Sequence, residues 1–135
     1  MDNRWGKKKW SSPKIEDGKL SRWNWLVIGS KNLKMGKYVD IGALAFLNAT
    51  NGLTLEDEVQ IGPHCSIMSA STIDHKYGPI VLKKKCCVGA NSVVMPNITI
   101  GENSIIGANS FVNINIPANV IAFGNPVKVW KKIKK

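Results

Sequence analysis

The chain has 135 residues, which fits one domain and leaves little room for a second hydrophobic core. Hydrophobic residues make up 44% of the chain and aromatic residues only 7%, so small and branched aliphatic side chains must supply most of the core. The formal charge of +10 predicts attraction to an acidic partner, for which nucleic acid, an anionic membrane face and a phosphate-rich small molecule all qualify.

The sequence also indicates the cellular compartment in which the protein is expected. No apolar run approaches the ~20 residues that cross a bilayer, so we expect no transmembrane segment. The basic residues at the start are not followed by the apolar stretch of a signal peptide. Three cysteines, two of them adjacent at Cys86 and Cys87, make a poor disulfide framework and fit a reducing compartment. We therefore expect a cytoplasmic protein.

The N-terminal segment, residues 1–26, carries tryptophans among lysines and serines and shows no repeat. Stacked strands leave an open edge that needs a cover, and residues 23–26 are candidates for it. We predict that the segment caps the element that follows, with residues before Ser12 disordered.

Between residues 27 and 116 an aliphatic residue recurs at intervals of six in several runs, with small residues and asparagines at fixed phases beside it. An α-helix, with about 3.6 residues per turn, would rotate such a ladder around its surface. Short strands joined by corners fit, because asparagine tolerates the left-handed backbone of a corner. The ladder comprises Met35, Ile41, Leu47, Leu55, Ile61, Ile67, Ile73, Leu82, Val88, Val94, Ile100, Ile106 and Val112, and the corner asparagines are Asn91, Asn97, Asn103, Asn109 and Asn115.

The repeat predicts an all-β fold in which three strands close each coil and successive coils bond ~4.8 Å apart. About five coils of this parallel β-helix would occupy residues 27–116, and residues 117–135 would form a C-terminal strand and a short basic tail. Two steps of the ladder are too long: Ile73 to Leu82 spans nine residues and Leu47 to Leu55 spans eight. Loops are therefore predicted around residues 74–78 and 48–52, and repeat scaffolds carry function at such interruptions.

These features resemble the hexapeptide-repeat acyltransferases, in particular the galactoside and maltose acetyltransferases and the sugar acetyltransferases of surface-polysaccharide pathways. The resemblance implies left-handed coils, a homotrimer with active sites in the clefts between subunits, and acetyl-CoA as co-substrate. The stretches that carry it are IGPHCSI, STIDHKYGPIVL, VGANSVVMPNITIGENSIIGANSFV and NIPANVIAFGNPVKVWKK.

The resemblance places the catalytic histidine at His75, inside the longer predicted loop. The chemistry asks for a base near neutral pH that takes a proton from the acceptor as the acceptor attacks the thioester. Asn48 matches an asparagine that contacts the acceptor sugar, although a turn role is equally open. Asp74, Lys76 and Tyr77 flank His75 as candidate acceptor contacts, and ordinary exposed loop chemistry explains them as well.

Five residues match positions that hold coenzyme A in the family. Ala90 and Ala108 correspond to main-chain contacts with the pantetheine arm, and Asn113 to a contact near the coil edge. Lys128 and Lys131 match basic residues near the phosphates and adenine, a role that suits cations. Coil geometry and a solvated tail are the alternatives. Where relatives commonly have threonine-lysine, this chain has asparagine-isoleucine at positions 113 and 114, so one basic contact is missing.

We expect no metal. The same fold occurs in a carbonic anhydrase class with three zinc-binding histidines, but this chain has only His64 and His75. His64 stands at the corner phase and is interpreted as structural. Cys65 and Cys86 fall at small interior positions, so packing explains them better than nucleophilic chemistry.

The leading hypothesis is acetyl transfer from acetyl-CoA to an amino or hydroxyl group of a sugar, with a nucleotide-linked sugar for glycan biosynthesis as the expected acceptor. The alternative is a catalytically silent β-helix that acts as a scaffold or binding module. Nucleic-acid binding ranks below both, because no recognised nucleic-acid fold is present and acidic small molecules also explain the charge. The acceptor, N- or O-acylation, and the acyl chain length stay open.

Overall fold

The computed structural model describes residues 9–134. Within that range the chain is nearly all β, and its only helical element is the single 3₁₀ turn Ser30–Asn32. The strands stack into a parallel solenoid of about five turns with three faces, which confirms the all-β parallel β-helix predicted from the repeat.

Each face contains one strand from successive coils. The first face contains β1 (Leu26–Ile28), β4 (Phe46–Asn48), β7 (Ser66–Met68), β12 (Val93–Val94) and β15 (Phe111–Val112). The second face contains β2 (Leu33–Met35), β5 (Leu53–Leu55), β10 (Ile80–Leu82) and β13 (Thr99–Ile100). The third face contains β3 (Asp40–Ile41), β6 (Gln60–Ile61), β11 (Cys87–Val88), β14 (Ile105–Ile106), β16 (Val120–Phe123) and, antiparallel at its end, β17 (Lys128–Lys132). A separate hairpin consists of β8 (Ala70–Ser71) and β9 (Lys76–Tyr77).

The core is the aliphatic ladder in strict register. On the first face Leu47 pairs with Ile67, Ile67 with Val94, and Val94 with Val112, and all four side chains are fully buried. Burying one such side chain contributes about 1.5–3 kcal/mol. Stacked coils therefore stabilise one another through apolar burial and through the strand hydrogen bonds between them.

The small residues predicted beside the ladder are buried in the coils, and their hydroxyls serve as hydrogen-bond donors inside the solenoid. Ser71 has the same spacing from the ladder but lies partly exposed on β8. Ser92 Oγ donates to the carbonyl of Gly107 over 3.2 Å, and Ser104 Oγ donates to the carbonyl of Pro117 over 2.5 Å. Cys65 and Cys86 are fully buried at equivalent positions. Small size and a paired polar atom both explain these residue types at the narrow interior corners.

The corners use the left-handed backbone region, and four of the five predicted asparagines adopt it. Their φ values are 59° at Asn91, 65° at Asn97, 64° at Asn103 and 59° at Asn109. The prediction was wrong for Asn115, which has no positive φ and instead accepts a hydrogen bond from Thr99 N through Oδ1 over 2.8 Å.

The shortness of the last coil explains the difference at Asn115. Ile106 pairs with Ala122, so this coil takes sixteen residues where the coil from Val88 to Ile106 takes eighteen. The corner after Val112 is correspondingly reduced. The left-handed conformation recurs one corner later, at Asn119 with φ 60°.

The ladder assignment of Ile73 was also wrong. Its side chain is 96% exposed, at the tip of the β8–β9 hairpin. The interruption therefore runs from Ile67 to Leu82, fifteen residues, where the equivalent step from Val94 to Ile100 takes six. Ile73 kept the six-residue spacing by coincidence, so the pattern placed the break one repeat too late.

Both ends of the solenoid are covered. At the first coil Trp25 is buried, Ile15 packs against the core, and Gly18 N donates to the carbonyl of Val27 over 2.8 Å. At the last coil the antiparallel β17 lines the edge of β16. Parallel pairing begins at Leu26 and continues through β16, beyond the residues 27–116 of the sequence prediction. Much of the predicted N-terminal disorder falls in residues 1–8, outside the described range.

Candidate active site

The β8–β9 hairpin leaves the solenoid at the corner between the first and second faces. Its strands pair Ala70 with Tyr77 and Ser71 with Lys76, and residues 72–75 form the turn. His75 occupies the last turn position, exposed, with φ 54°. Histidine is among the residue types enriched in this left-handed region, which the chain also uses at ordinary corners such as His64 with φ 60°.

Two side chains that flank His75 brace the turn. Ser71 Oγ donates a hydrogen bond to Asp74 Oδ1 over 2.5 Å, and Lys76 Nζ lies 3.7 Å from Asp74 Oδ2. The Ser71 hydroxyl, and to a smaller extent the Lys76 ammonium, hold the pKa of Asp74 below its ordinary value. Asp74 and Lys76 therefore interact with each other before they meet any acceptor, while Tyr77 is half exposed on β9.

The hairpin base is tied to the smaller excursion in the coil before it. The fully buried Ser69 receives two hydrogen bonds from Asn51: its Oγ accepts from Asn51 N over 3.0 Å, and its carbonyl accepts from Asn51 Nδ2 over 3.1 Å. The same carbonyl accepts from Gly78 N over 2.9 Å, which closes the hairpin. The two interruptions of the ladder thus form one polar unit, a connection that no sequence spacing indicated.

Asn48 begins the smaller excursion and is 8% exposed. Its Oδ1 accepts from Thr50 N over 3.1 Å and from Thr50 Oγ1 over 2.7 Å, which is the turn role left open by the sequence. Its Nδ2 has no hydrogen-bond partner among residues 9–134. One polar group of Asn48 is therefore structural, and the other is available to a ligand.

The residues predicted to hold coenzyme A fall into two groups. Ala90 and Ala108 stack at the corner between the third and first faces, where Asn109 N donates to the carbonyl of Ala90 over 2.9 Å. A Cβ at Gly89 would lie 2.6 Å from Ala108 N, so the coils approach closely here and position 89 has no room for a side chain. Asn113 lies at the other corner, the one from which the hairpin leaves.

Lys128 and Lys131 lie on β17, next to the corner that contains Ala108. Lys128 pairs with Phe123, and a Cβ at Gly107 would lie 2.9 Å from Phe123 Cβ. Both lysines are exposed, and Lys131 Nζ sits 4.3 Å from the centre of the Trp130 ring. Nothing in the hexapeptide pattern had singled out Trp130.

Trp130 also forms one wall of an open groove of about 430 Å³. It is 60% exposed and meets Phe123 edge to face at 5.7 Å between ring centres. An exposed aromatic ring beside two cations suits a flat, negatively charged ligand. The groove is lined by Phe123, Gly124, Asn125, Pro126, Lys128, Val129 and Trp130.

The thiols offer no nucleophile. Burial raises the pKa of Cys65 and of Cys86, and burial also raises the pKa of the half-buried Cys87. A thiol that stays protonated at neutral pH is a poor nucleophile. In the part of the chain that the structure describes, no three His, Cys, Asp or Glu side chains are grouped to hold a metal ion, and no helix is long and apolar enough to cross a membrane.

The sequence and the fold are similar to those of known proteins. The profile of the family "bacterial transferase hexapeptide (six repeats)" matches residues 79–113. A putative colanic acid biosynthesis acetyltransferase of Escherichia coli is 31% identical over an alignment of 136 positions. The alignment covers 82% of this chain and 75% of that protein. A galactoside O-acetyltransferase of Lactococcus lactis is 33% identical over 113 residues, and the match covers 73% of this chain but only 55% of that protein.

The solenoid itself matches a solved structure, the hexapeptide-repeat acetyltransferase of Vibrio cholerae in complex with acetyl coenzyme A. Its TM-score is 0.76 at 25% sequence identity, over 82% of this chain and 66% of that one. The structural match and the sequence identity to the E. coli protein show that the chain belongs to the hexapeptide-repeat acyltransferase family.

Proposed function

We propose that this protein transfers an acetyl group from acetyl-CoA to a hydroxyl or amino group of a sugar. The observation that carries the proposal is the hairpin: it is the longest interruption of the aliphatic ladder, and its braced turn ends in His75. The similar proteins named as sugar and polysaccharide acetyltransferases support the same activity. The V. cholerae structure, solved with acetyl coenzyme A, supports the donor.

His75 acts as the general base in this proposal. One ring nitrogen takes the proton of the acceptor hydroxyl or amine while the acceptor atom attacks the thioester carbonyl. The carbon–sulfur bond then breaks, and the imidazolium returns the proton to the departing thiolate. Such positioned proton transfer contributes ~10²–10⁴-fold to the rate. The exposed position of His75 leaves it open to an acceptor.

The donor fits the corner between the third and first faces. Ala108 is exposed and Ala90 partly exposed, and their short side chains leave room beside the main chain for an extended arm. The Trp130 groove with Lys128 and Lys131 suits an adenine and its phosphates. Acetyl-CoA, when bound, supplies the activated acyl group. All other roles belong to side chains and main-chain groups of the protein.

The active site is shared between subunits of a homotrimer in our proposal. His75 and Asn113 lie at the corner between the first and second faces of the solenoid, whereas Ala90 and Ala108 lie at the corner between the third and first faces. A single chain therefore presents the base and the donor corner on different edges, and a neighbouring copy brings the two together. Exposed apolar side chains such as Leu44 and Ile105, 53% and 41% exposed, are available for such contacts.

The acceptor is proposed to be a sugar, with a nucleotide-linked sugar of glycan assembly favoured by the strongly basic surface. Asn48 Nδ2 and the Tyr77 side chain are the groups proposed to contact the sugar. Asp74 and Lys76 serve the acceptor chiefly by holding the turn. The reaction is placed in the cytoplasm, in accord with the free thiols of Cys65, Cys86 and Cys87.

The decisive experiment measures thiol release from acetyl-CoA with a panel of acceptors: nucleotide-linked amino sugars, nucleotide-linked neutral sugars, simple galactosides and maltose. We expect transfer to at least one sugar, and the panel separates nitrogen from oxygen acceptors. Acetyl-CoA binding without transfer to any acceptor would instead support the silent binding module. No acetyl-CoA binding at all would overturn the proposal.

Subunit mixing tests the shared cleft. Chains with His75→Asn and chains with Ala108→Trp should each be inactive as pure trimers, because one lacks the base and the other blocks the donor corner. Mixed trimers should regain about a quarter of the wild-type activity, since one cleft in four joins an intact His75 to an intact donor corner. No recovery in verified mixed trimers would place both groups in the same subunit.

A further inference from the structure

Asn97 makes a contact that its repeat equivalents do not make. Its Nδ2 donates a hydrogen bond to the carbonyl of Tyr77 over 2.9 Å. Tyr77 is the last residue of β9, so the bond joins the base of the hairpin to the coil that follows it. The main chain of Asn97 is an ordinary corner, with φ 65° close to the 64° of Asn103. The side-chain amide is therefore the distinctive feature at this corner.

Gly78 makes room for this contact. A Cβ at residue 78 would overlap the side-chain amide of Asn97. Gly78 N meanwhile donates to the carbonyl of Ser69 over 2.9 Å. The hairpin base is thus held on two sides, by Ser69 and Asn51 from the side of the preceding coil and by Asn97 from the coil that follows.

We infer that Asn97 is a positioning residue for the reaction: its amide fixes the orientation of the hairpin and thereby the place of His75 relative to the donor. This inference rests on the proposed function. The hairpin has only two strand residues on each side and an exposed turn, so few other contacts resist its tilting. A displacement of about 1 Å at a reacting group costs up to about 10²-fold in rate.

The corner itself does not need this amide. Glycine adopts the left-handed region without strain, so Asn97→Gly keeps the coil geometry and removes only the side chain. Asn97→Asp keeps the size and replaces a donor with an acceptor that repels the Tyr77 carbonyl. Asn103→Gly is the matched control, because Asn103 has the same backbone conformation and also loses one side-chain hydrogen bond, to Asn119 Oδ1 over 3.2 Å.

The test combines steady-state kinetics with hydrogen–deuterium exchange of the segment 69–78. Both Asn97 variants should exchange faster in this segment, and their kcat should fall about five- to a hundredfold, while KM for acetyl-CoA stays within about twofold. Asn103→Gly should match the wild type in both measurements. Melting temperatures of Asn97→Gly and Asn103→Gly should agree, which separates positioning from general stability.

Unchanged exchange in the Asn97 variants would overturn the inference whatever their activity. Faster exchange with unchanged kcat would also overturn it, since the order of the hairpin would then not serve the reaction. A wild-type protein that acetylates none of the acceptors counts against the proposed function instead. The exchange measurement still decides in that case whether Asn97 orients the hairpin.

Discussion

The regular coils between Ile80 and Val112 and the two interruptions, residues 48–52 and 68–79, belong to one solenoid but are held by different forces. In the regular coils each step of the ladder takes six residues, and every buried aliphatic has an equivalent above or below it. In the two interruptions the contacts are chiefly polar and occur once, as between Asn51 and Ser69 or between Ser71 and Asp74.

This difference suggests that the regular coils determine the stability of the fold, while the interruptions determine the geometry of the candidate site. Repeated apolar contacts add up along the solenoid, and the stability of each coil depends on its contacts with the neighbouring coils. The single polar contacts of the interruption order few residues and bury little apolar surface. They determine where His75 lies, and changes there should affect activity far more than folding.

Loss of the His75 imidazole should give the largest effect. The left-handed φ of 54° makes asparagine a better replacement than alanine, because asparagine adopts that region without strain. His75→Asn should lower kcat ~10²–10⁴-fold with an unchanged melting temperature. An amine acceptor that arrives deprotonated would place the loss at the lower end.

His64→Asn is the control for this experiment. His64 has φ 60° at an ordinary corner, so asparagine there reproduces the residue found in later coils. We expect kcat within about twofold of the wild type. A loss below about threefold in His75→Asn, with acetyl-CoA binding intact, would remove His75 as the base and shift attention to Asn48.

The second prediction compares two isoleucines, one from each region. Ile100 is fully buried in the regular ladder, and Ile73 is 96% exposed at the hairpin tip. Ile100→Ala should lower the free energy of unfolding by about 2–5 kcal/mol, and Ile73→Ala by no more than about 0.5 kcal/mol. Urea unfolding at equal protein concentration measures both. Similar values would mean that the tip of the hairpin is buried, for instance against a neighbouring subunit.

The donor side should respond to charge more than to packing. Replacing Lys128 and Lys131 together with alanine should raise KM for acetyl-CoA several-fold, and the effect should shrink at high salt because exposed charges are screened. The double replacement of Lys83 and Lys84 removes the same charge from a different corner and should leave KM unchanged. Equal shifts in both proteins would reveal a general attraction by the surface.

The smallest predicted effect concerns the turn around His75. The pKa of Asp74 lies below its ordinary value of 3.8, chiefly because of the Ser71 hydroxyl. Asp74 therefore favours the ordered turn above pH 3.8 and loses this contribution as the pH falls further. An NMR titration should show the pKa rising towards its ordinary value in Ser71→Ala, and rising less in Lys76→Ala. A larger rise in the lysine variant would reverse the assigned cause.

The sequence predicted what the repeat encodes and missed what occurs once. The ladder, the buried Cys65 and Cys86, and four of the five asparagine corners follow from six-residue periodicity, because each obeys the same local rule. Ile73 satisfied that rule by spacing while lying outside the core. Asn115 failed it because the last coil is short, which depends on strand pairing far along the chain.

The contacts of the site were harder to anticipate for the same reason. His75 and its neighbours were identified by a resemblance and by a break in the pattern. The link from Asn51 to Ser69 and the link from Asn97 to Tyr77 each join an interruption to a neighbouring coil and do not recur in other coils, so neither leaves a periodic trace. Asn97 was correctly predicted as a corner residue. Its backbone conformation alone accounts for an asparagine there, so the hydrogen bond of its side chain to Tyr77 was not predicted.

The hairpin also leaves the register of the solenoid untouched. Ile80 pairs with Leu53 and Leu82 with Ile100, so the chain re-enters the second face in the alignment it would have had without the insertion. Closing a longer loop adds little entropy cost, since the cost grows only logarithmically with length. The hairpin is therefore an insertion that the stacked coils accommodate without a change of strand register. We expect a hairpin of another length or sequence at this corner to leave the stacking of the coils unchanged, provided that its base keeps the contacts of Ser69 and Tyr77.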